Sequence, residues 1–294
     1  MEFEKINNMT IGFIGFGLMA GDIARCIRRE CPNAKMIALN NRYPEVKYGL
    51  QLAISDGVLN DLRPALDEEF SKCDIIFLCA PVMTNIEYLP KLKEIIKEDA
   101  IITDVGSVKG DIHEAVEKND LSANFIGGHP MAGIEKTGYE HSTDTMLKGA
   151  FYILTPTPKV SKEAIETMET ITKITKSKYI MLPPEEHDIA AAAISHVPHI
   201  LSYTLVNTVK EHDTEEQYMK QFAAGGFRDM TRIAASSPEM WQSIVLSNKK
   251  AILRFLSQYQ IMLENFKQLL ITDDDDGLYE FFKRSKDYRD TFNF

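Results

Sequence analysis

Between residues 10 and 183, short apolar runs alternate with amphipathic segments: TIGFIGF precedes 18–30, KMIALNN precedes 44–54, DIIFLCAP precedes 84–97 and AIITDVG precedes 108–119. A parallel strand buried on both faces reads as a continuous apolar run, and its crossover helix as an amphipathic stretch. The rhythm therefore commits this part of the chain to repeated βα units on a mostly parallel sheet. NFIGGHP, GAFYILTP and KYIMLPP add further strand-like runs, the last two separated by a helical stretch over 161–176. After Pro183 and Pro184 the β-branched runs become few and spaced apolar positions take over, with turn signals at Gly225-Gly226 and from Ser236 to Pro238. The expected fold is an α/β domain over 1–183 followed by an all-α domain over 184–294.

The first strand runs into Gly15-Phe16-Gly17-Leu18-Met19-Ala20, a GxGxxA pattern between strand and helix. Each position has a physical use: Gly15 permits the tight turn, Gly17 lets the backbone approach a pyrophosphate, and Ala20 lets helix and strand pack closely. The helix beginning at Leu18 and Met19 would turn its free N–H groups toward the phosphates. This makes the first domain a Rossmann-type dinucleotide site, with the loop at Pro81, after the DIIFLCAP strand, on the same edge of the sheet. Where an NAD enzyme usually places an acid for the adenosine ribose, the chain has Asn40, Asn41 and Arg42. The cofactor is NAD or NADP, and the uncharged amide followed by arginine tilts the expectation toward NADP.

The net charge of −10 and the scattered Lys and Arg argue against nucleic-acid binding. The N-terminus carries acids and no secretory h-region, and no uninterrupted apolar stretch approaches membrane-spanning length. Cys26, Cys31, Cys73 and Cys79 lack metal-ligand spacing and read as buried thiols of a cytoplasmic protein. The acidic run at 273–277 reads as a solvated loop between helices, without the spaced ligands of a calcium loop.

His129, in GGHPMAG, falls on a glycine-flanked loop at the ligand edge of the sheet, where it is either a surface residue or a base held close to a ligand. His187-Asp188 and then His196 and His199 follow on one helical stretch. His196 and His199 can share a face, one structural and one facing a substrate; no further ligands are at hand for a metal. Arg228 and Arg232 lie one helical turn apart among small and apolar residues, either on a solvated face beside Asp229 or partly buried against an anionic substrate group.

Taken together, GxGxxA, DVGSVK (104–109), GGHPMAGIEKTG (127–138), the HD and SHVPH segments and GFRDMTRIAASSPEMW (226–241) resemble the prephenate dehydrogenase family, with the arogenate dehydrogenases as close relatives. The match runs in order over nearly the whole chain. The resemblance implies a dinucleotide-binding domain joined to a helical domain that forms a homodimer. It also implies a reaction in tyrosine biosynthesis: oxidative decarboxylation of prephenate to 4-hydroxyphenylpyruvate with reduction of NAD(P). Carried over by position, His129 would take the ring hydroxyl proton and Ser107 would stand beside it and the nicotinamide. His199 and Arg232 would meet the substrate, Glu135 and Arg228 would form an ion-paired gate, and Trp241 would help close the site.

Three positions depart from the family pattern. Ala20-Gly21-Asp22 stands where Gly-Gly-Ser is common, and an acid close to a pyrophosphate is unexpected unless it points away. Asn40 replaces the usual acid, and Ile134 stands where Ser is common. The chain leaves no room for a C-terminal regulatory domain or a fused mutase, so any feedback by tyrosine is expected at the active site. Two other readings stay open at this level: another dehydrogenase of the 6-phosphogluconate dehydrogenase-like group, whose helical-domain lysine has no clear match, and a module that binds the dinucleotide without turnover.

Overall fold

The computed structural model describes residues 3–41, 45–134 and 136–292. Its eight strands are β1 (Thr10–Ile14), β2 (Lys35–Leu39), β3 (Asp61–Arg63), β4 (Ile75–Leu78), β5 (Ile101–Asp104), β6 (Phe125–Pro130), β7 (Phe151–Pro156) and β8 (Lys178–Met181). They form one sheet in the order β3-β2-β1-β4-β5-β6-β7-β8. All pairings are parallel except β6 with β7.

The strands β1, β2, β4 and β5 are apolar on both faces because helices cover both. Phe13, Met36, Ala38, Ile75 and Phe77 pack on the side of the helices Leu18–Glu30 and Lys162–Ile174. Ile14, Ile37, Ile76, Leu78 and Ile102 pack on the side of Val82–Ile95 and Gly110–Lys118. Strand order reverses between β1 and β4, and at such a switch point the two connections diverge and leave a crevice at the carboxyl ends of the strands.

Two expectations are corrected here. His129 is not on a loop: it lies within β6, paired antiparallel with Ile153, because the strand continues through the glycines to Pro130. The helical run Pro184–His212 is, by length and composition, apolar enough to cross a bilayer, contrary to the reading of the sequence. Its buried positions mix polar and apolar residues: His187, His196 and Ser202 are buried alongside Ala191, Ala192 and Val197, whereas Ile194 is 65% exposed.

The chain forms two compact units, Met1–Asn248 and Lys249–Phe294. In the first, Asp188 ties the helix starting at Pro184 to the sheet layer: its Oδ1 and Oδ2 accept the Lys109 and Gly110 N–H groups, both at 2.8 Å. The second consists of the helices Lys249–Ile271 and Asp275–Arg289, with Phe266 packed on Phe281 at 5.0 Å between ring centroids. The acidic run 273–277 is only partly a loop, because Asp274 caps the second helix by accepting the Gly277 N–H at 2.9 Å. Asp275 and Asp276 then fall in its first turn, where acids complement the helix dipole.

Candidate active site

The GxGxxA turn has the shape that a dinucleotide requires. Gly15 has φ +82°, and a Cβ there would sit 2.6 Å from the Ala80 N. A Cβ on Gly17 would meet nothing within 4 Å, so the space beside it is open for a pyrophosphate. Leu18 and Met19 start the helix, no side chain among the described residues caps its N-terminus, and Ala20 is buried in the core. The N–H groups of that first turn are left for a ligand. A cleft of about 190 Å³ opens alongside, lined among others by Gly15, Phe16, Asn41, Lys47, Pro81 and Tyr88.

Asn85, which sequence reasoning passed over, shapes the Pro81 loop. Its Nδ2 donates to Leu78 and Ala80 carbonyls at 3.2 and 2.8 Å, and its Oδ1 accepts the Ala80 N–H at 3.1 Å. Asn40 does not line the cleft: it is buried, and its Nδ2 donates to the Glu45 carbonyl at 2.9 Å. Arg42 and Glu135 lie outside the described residues.

Asp22 turns toward Thr143. Its Oδ1 accepts the Thr143 N–H at 2.6 Å, while the buried Oδ2 has no partner among the described residues. Burial, only partly offset by the Thr143 bond and by Arg25, pushes its carboxyl up to about 6. A raised carboxyl favours the native state while protonated, so stability is lost as pH rises from about 4 through about 6. Asp22→Asn keeps the Thr143 acceptor and removes the charge. Its stability in urea unfolding should therefore gain on the wild type by up to roughly 3 kcal/mol between about pH 4 and pH 7. A constant difference across that range would refute the assignment.

The catalytic end is organised by two buried charges that sequence reasoning also missed. Asp104, at the end of β5, accepts the Gly106 N–H at 2.9 Å through Oδ2 and the Gly128 N–H at 3.1 Å through Oδ1. Lys109 pairs with the same carboxylate and donates to the Gly128 carbonyl at 2.7 Å; both side chains are wholly buried. One carboxylate thus ties the Ser107 loop to the strand that carries His129. DVGSVK held the signal, since an acid and a lysine flanking an apolar loop at a strand end can only be buried as a pair.

His129 Nδ1 lies 2.8 Å from His187 Nε2, and His187 Nδ1 lies 2.8 Å from Asp188 Oδ1. The carboxylate can only accept, so His187 donates from Nδ1 and accepts at Nε2 from His129 Nδ1–H. That order leaves the His129 lone pair on Nε2. Burial lowers the His129 imidazole well below its usual range, reinforced by His187, Lys109 and His196, so it rests neutral. The His187–Asp188 pair thus fixes the tautomer of this neutral imidazole from behind.

His196 and His199 stand in different surroundings. His196 is buried, its Nδ1 is 3.1 Å from Asn248 Nδ2, and that amide also donates to the Asp188 carbonyl at 2.8 Å. Burial lowers its imidazole to about 4, which fits a structural brace. His199 is less buried, bonds the Ser195 carbonyl through Nδ1 at 2.9 Å and stacks on Trp241 at 3.7 Å between centroids. Arg232 opens the short turn Arg232–Ala235 and is exposed. Arg228 is also exposed and lies 3.4 Å from Asp229. Within a single chain the helix Gly225–Thr231 buries none of its residues, so the partly buried environment expected for the arginines is corrected to a surface one.

Two families match the chain: the prephenate dehydrogenase nucleotide-binding domain over residues 23–181 and the prephenate dehydrogenase dimerization domain over 183–284. The prephenate dehydrogenase of Bacillus subtilis is 35% identical over 285 residues, 96% of this chain and 75% of that protein. The cyclohexadienyl dehydrogenase of Zymomonas mobilis is 30% identical, over 95% of this chain and 94% of its own. Among solved structures, prephenate dehydrogenase from A. aeolicus, in complex with hydroxyphenyl propionate and NAD+, superposes with a TM-score of 0.88 at 32% identity, covering 96% of this chain and 97% of that one.

Proposed function

Because the chain belongs to the prephenate dehydrogenase family, we propose that it converts prephenate to 4-hydroxyphenylpyruvate and carbon dioxide in tyrosine biosynthesis. The observation that carries this is the His129–His187–Asp188 chain at the carboxyl end of the sheet, beside a turn shaped for a dinucleotide. A nicotinamide dinucleotide, when bound, supplies the hydride acceptor. Gly15, Gly17 and the first turn at Leu18 would hold its phosphates, and Pro81 borders the cleft that would take it. His129 Nε2 takes the proton of the ring hydroxyl as the C–H bond on the same carbon breaks toward the acceptor. The electrons of the ring–carboxylate bond then complete the aromatic ring as carbon dioxide leaves, and the phenolate oxygen takes the proton back from His129 Nε2 to give the product hydroxyl. His187 and Asp188 stabilise the charge that His129 acquires.

In this reading Ser107 orients the hydroxyl beside His129. His199, stacked on Trp241, and Arg232 hold the rest of the substrate, with Arg232 as carboxylate partner and Glu135 with Arg228 as the gate. The exposed apolar residues of the helical part, Phe222 at 74% and Met230 at 63% among them, support a homodimer in which 184–294 carries substrate binding and dimerisation. Four free cysteines support a reducing, cytoplasmic setting.

Purified protein should reduce a nicotinamide dinucleotide with prephenate, release an equal amount of carbon dioxide, and elute at twice the mass of the chain. Turnover of arogenate alone would overturn the substrate. The uncharged Asn40 supports NADP over NAD, because it removes an acid that would repel a 2′-phosphate.

A further inference from the structure

We infer that His196 binds the ring carboxylate of the substrate, the group that leaves as carbon dioxide, through an uncharged Nε2–H. This rests on the dehydrogenase reading above and adds a residue to its site. The position of the proton follows from Asn248, whose side-chain amide lies 2.8 Å from the Asp188 carbonyl and 3.1 Å from His196 Nδ1. A carbonyl can only accept, so the amide atom facing both is the nitrogen, and its second hydrogen goes to His196. Nδ1 is therefore an acceptor, and the imidazole carries its proton on Nε2.

That Nε2 and Trp241 Nε1 are both buried and have no hydrogen-bond partner among the described residues. Leaving a buried N–H without an acceptor is costly, so each such donor calls for a partner. The two rings meet at 6.1 Å between centroids, nearly perpendicular, and Trp241 also stacks on His199. On the other side, His196 stands close enough to His129 to disfavour its protonation. His196 ends a π turn, Ala192–His196, within the long helical run, and such widened turns recur at functional sites.

Prephenate offers a ring hydroxyl and two carboxylates. His129 and Ser107 serve the hydroxyl, and Arg232 with His199 serves one carboxylate, which leaves the ring carboxylate for the donors without a partner. A neutral donor suits that group, because a cation would hold it in its charged ground state whereas decarboxylation must discharge it. Burial, only partly opposed by Asp188, holds the His196 imidazole down at about 4, so it stays uncharged near neutral pH.

The test uses the full chain and two variants. His196→Asn keeps an acceptor for Asn248 near the Nδ1 position and lacks the far donor, whereas His196→Gln reaches the Nε2 position and restores a donor there. With prephenate, His196→Asn should lower kcat/KM at least about tenfold, and His196→Gln should recover most of that loss. Affinity for 4-hydroxyphenylpyruvate, which has no ring carboxylate, should stay within about twofold in both variants by calorimetry. Imidazole nitrogen NMR shifts of the wild type should place the His196 proton on Nε2. The inference is overturned if His196→Asn turns over prephenate like the wild type, or if His196→Gln does no better than His196→Asn. It is equally overturned if affinity for 4-hydroxyphenylpyruvate falls along with turnover, or if the proton is on Nδ1. Wild-type protein that neither oxidises prephenate nor binds 4-hydroxyphenylpyruvate would count against the dehydrogenase reading instead, with the tautomer still readable.

Discussion

His129→Asn is expected to lower kcat by about a thousandfold while leaving substrate and dinucleotide affinity within a few-fold. Asparagine can still donate toward His187, but it has no lone pair of suitable basicity for the hydroxyl proton. Trp241, the only tryptophan of the chain, stacks on His199, so its fluorescence should report ligand binding in the variant independently of turnover. Because burial and the neighbouring His187, Lys109 and His196 hold the His129 imidazole well below its usual range, the wild-type base stays neutral through physiological pH. Its activity should fall only on the acid side, below the pH at which a free imidazole would already be half protonated. A variant that keeps more than about a tenth of wild-type kcat would remove His129 from the role of base.

Lys109→Met should cost about 3–5 kcal/mol of stability, because it strands the wholly buried Asp104 carboxylate without its cation. In thermal unfolding this is a fall on the order of 10 °C. The loss should reach the site as well: the Gly128 carbonyl loses its Lys109 donor, and His129 is the next residue on the strand. Adding Asp104→Asn to the variant should recover part of the stability, since the uncompensated charge is gone and one acceptor remains for a backbone N–H. If Lys109→Met melts with the wild type, the pair does not hold the Ser107 loop to the strand that carries His129.

The legibility of the site followed the range of the interactions that build it. Gly15, Gly17 and Ala20 were readable because a turn and a close helix contact are local demands on neighbouring residues. The strand holding His129 was misplaced because glycines and proline usually end strands, whereas here pairing with β7 carries the strand through to Pro130. Asp104 and Lys109 were quoted within a motif without a role, since their partnership with Gly106 and Gly128 joins a loop to a neighbouring strand that only the sheet brings beside it. The arginines at 228 and 232 looked half-buried because their neighbours are apolar, but that apolar surface faces outward in the single chain.

The sequence by itself determined the βα rhythm, the dinucleotide turn and the family, because each rests on periodicity or on residues close together in the chain. What Asp22 turns toward, which tautomer His129 adopts, and that Asn40 faces Glu45 while Lys47 faces the cleft were decided only by the tertiary structure. Those are contacts between segments that the sheet juxtaposes, and a hydrogen bond's direction depends on the partner it meets there.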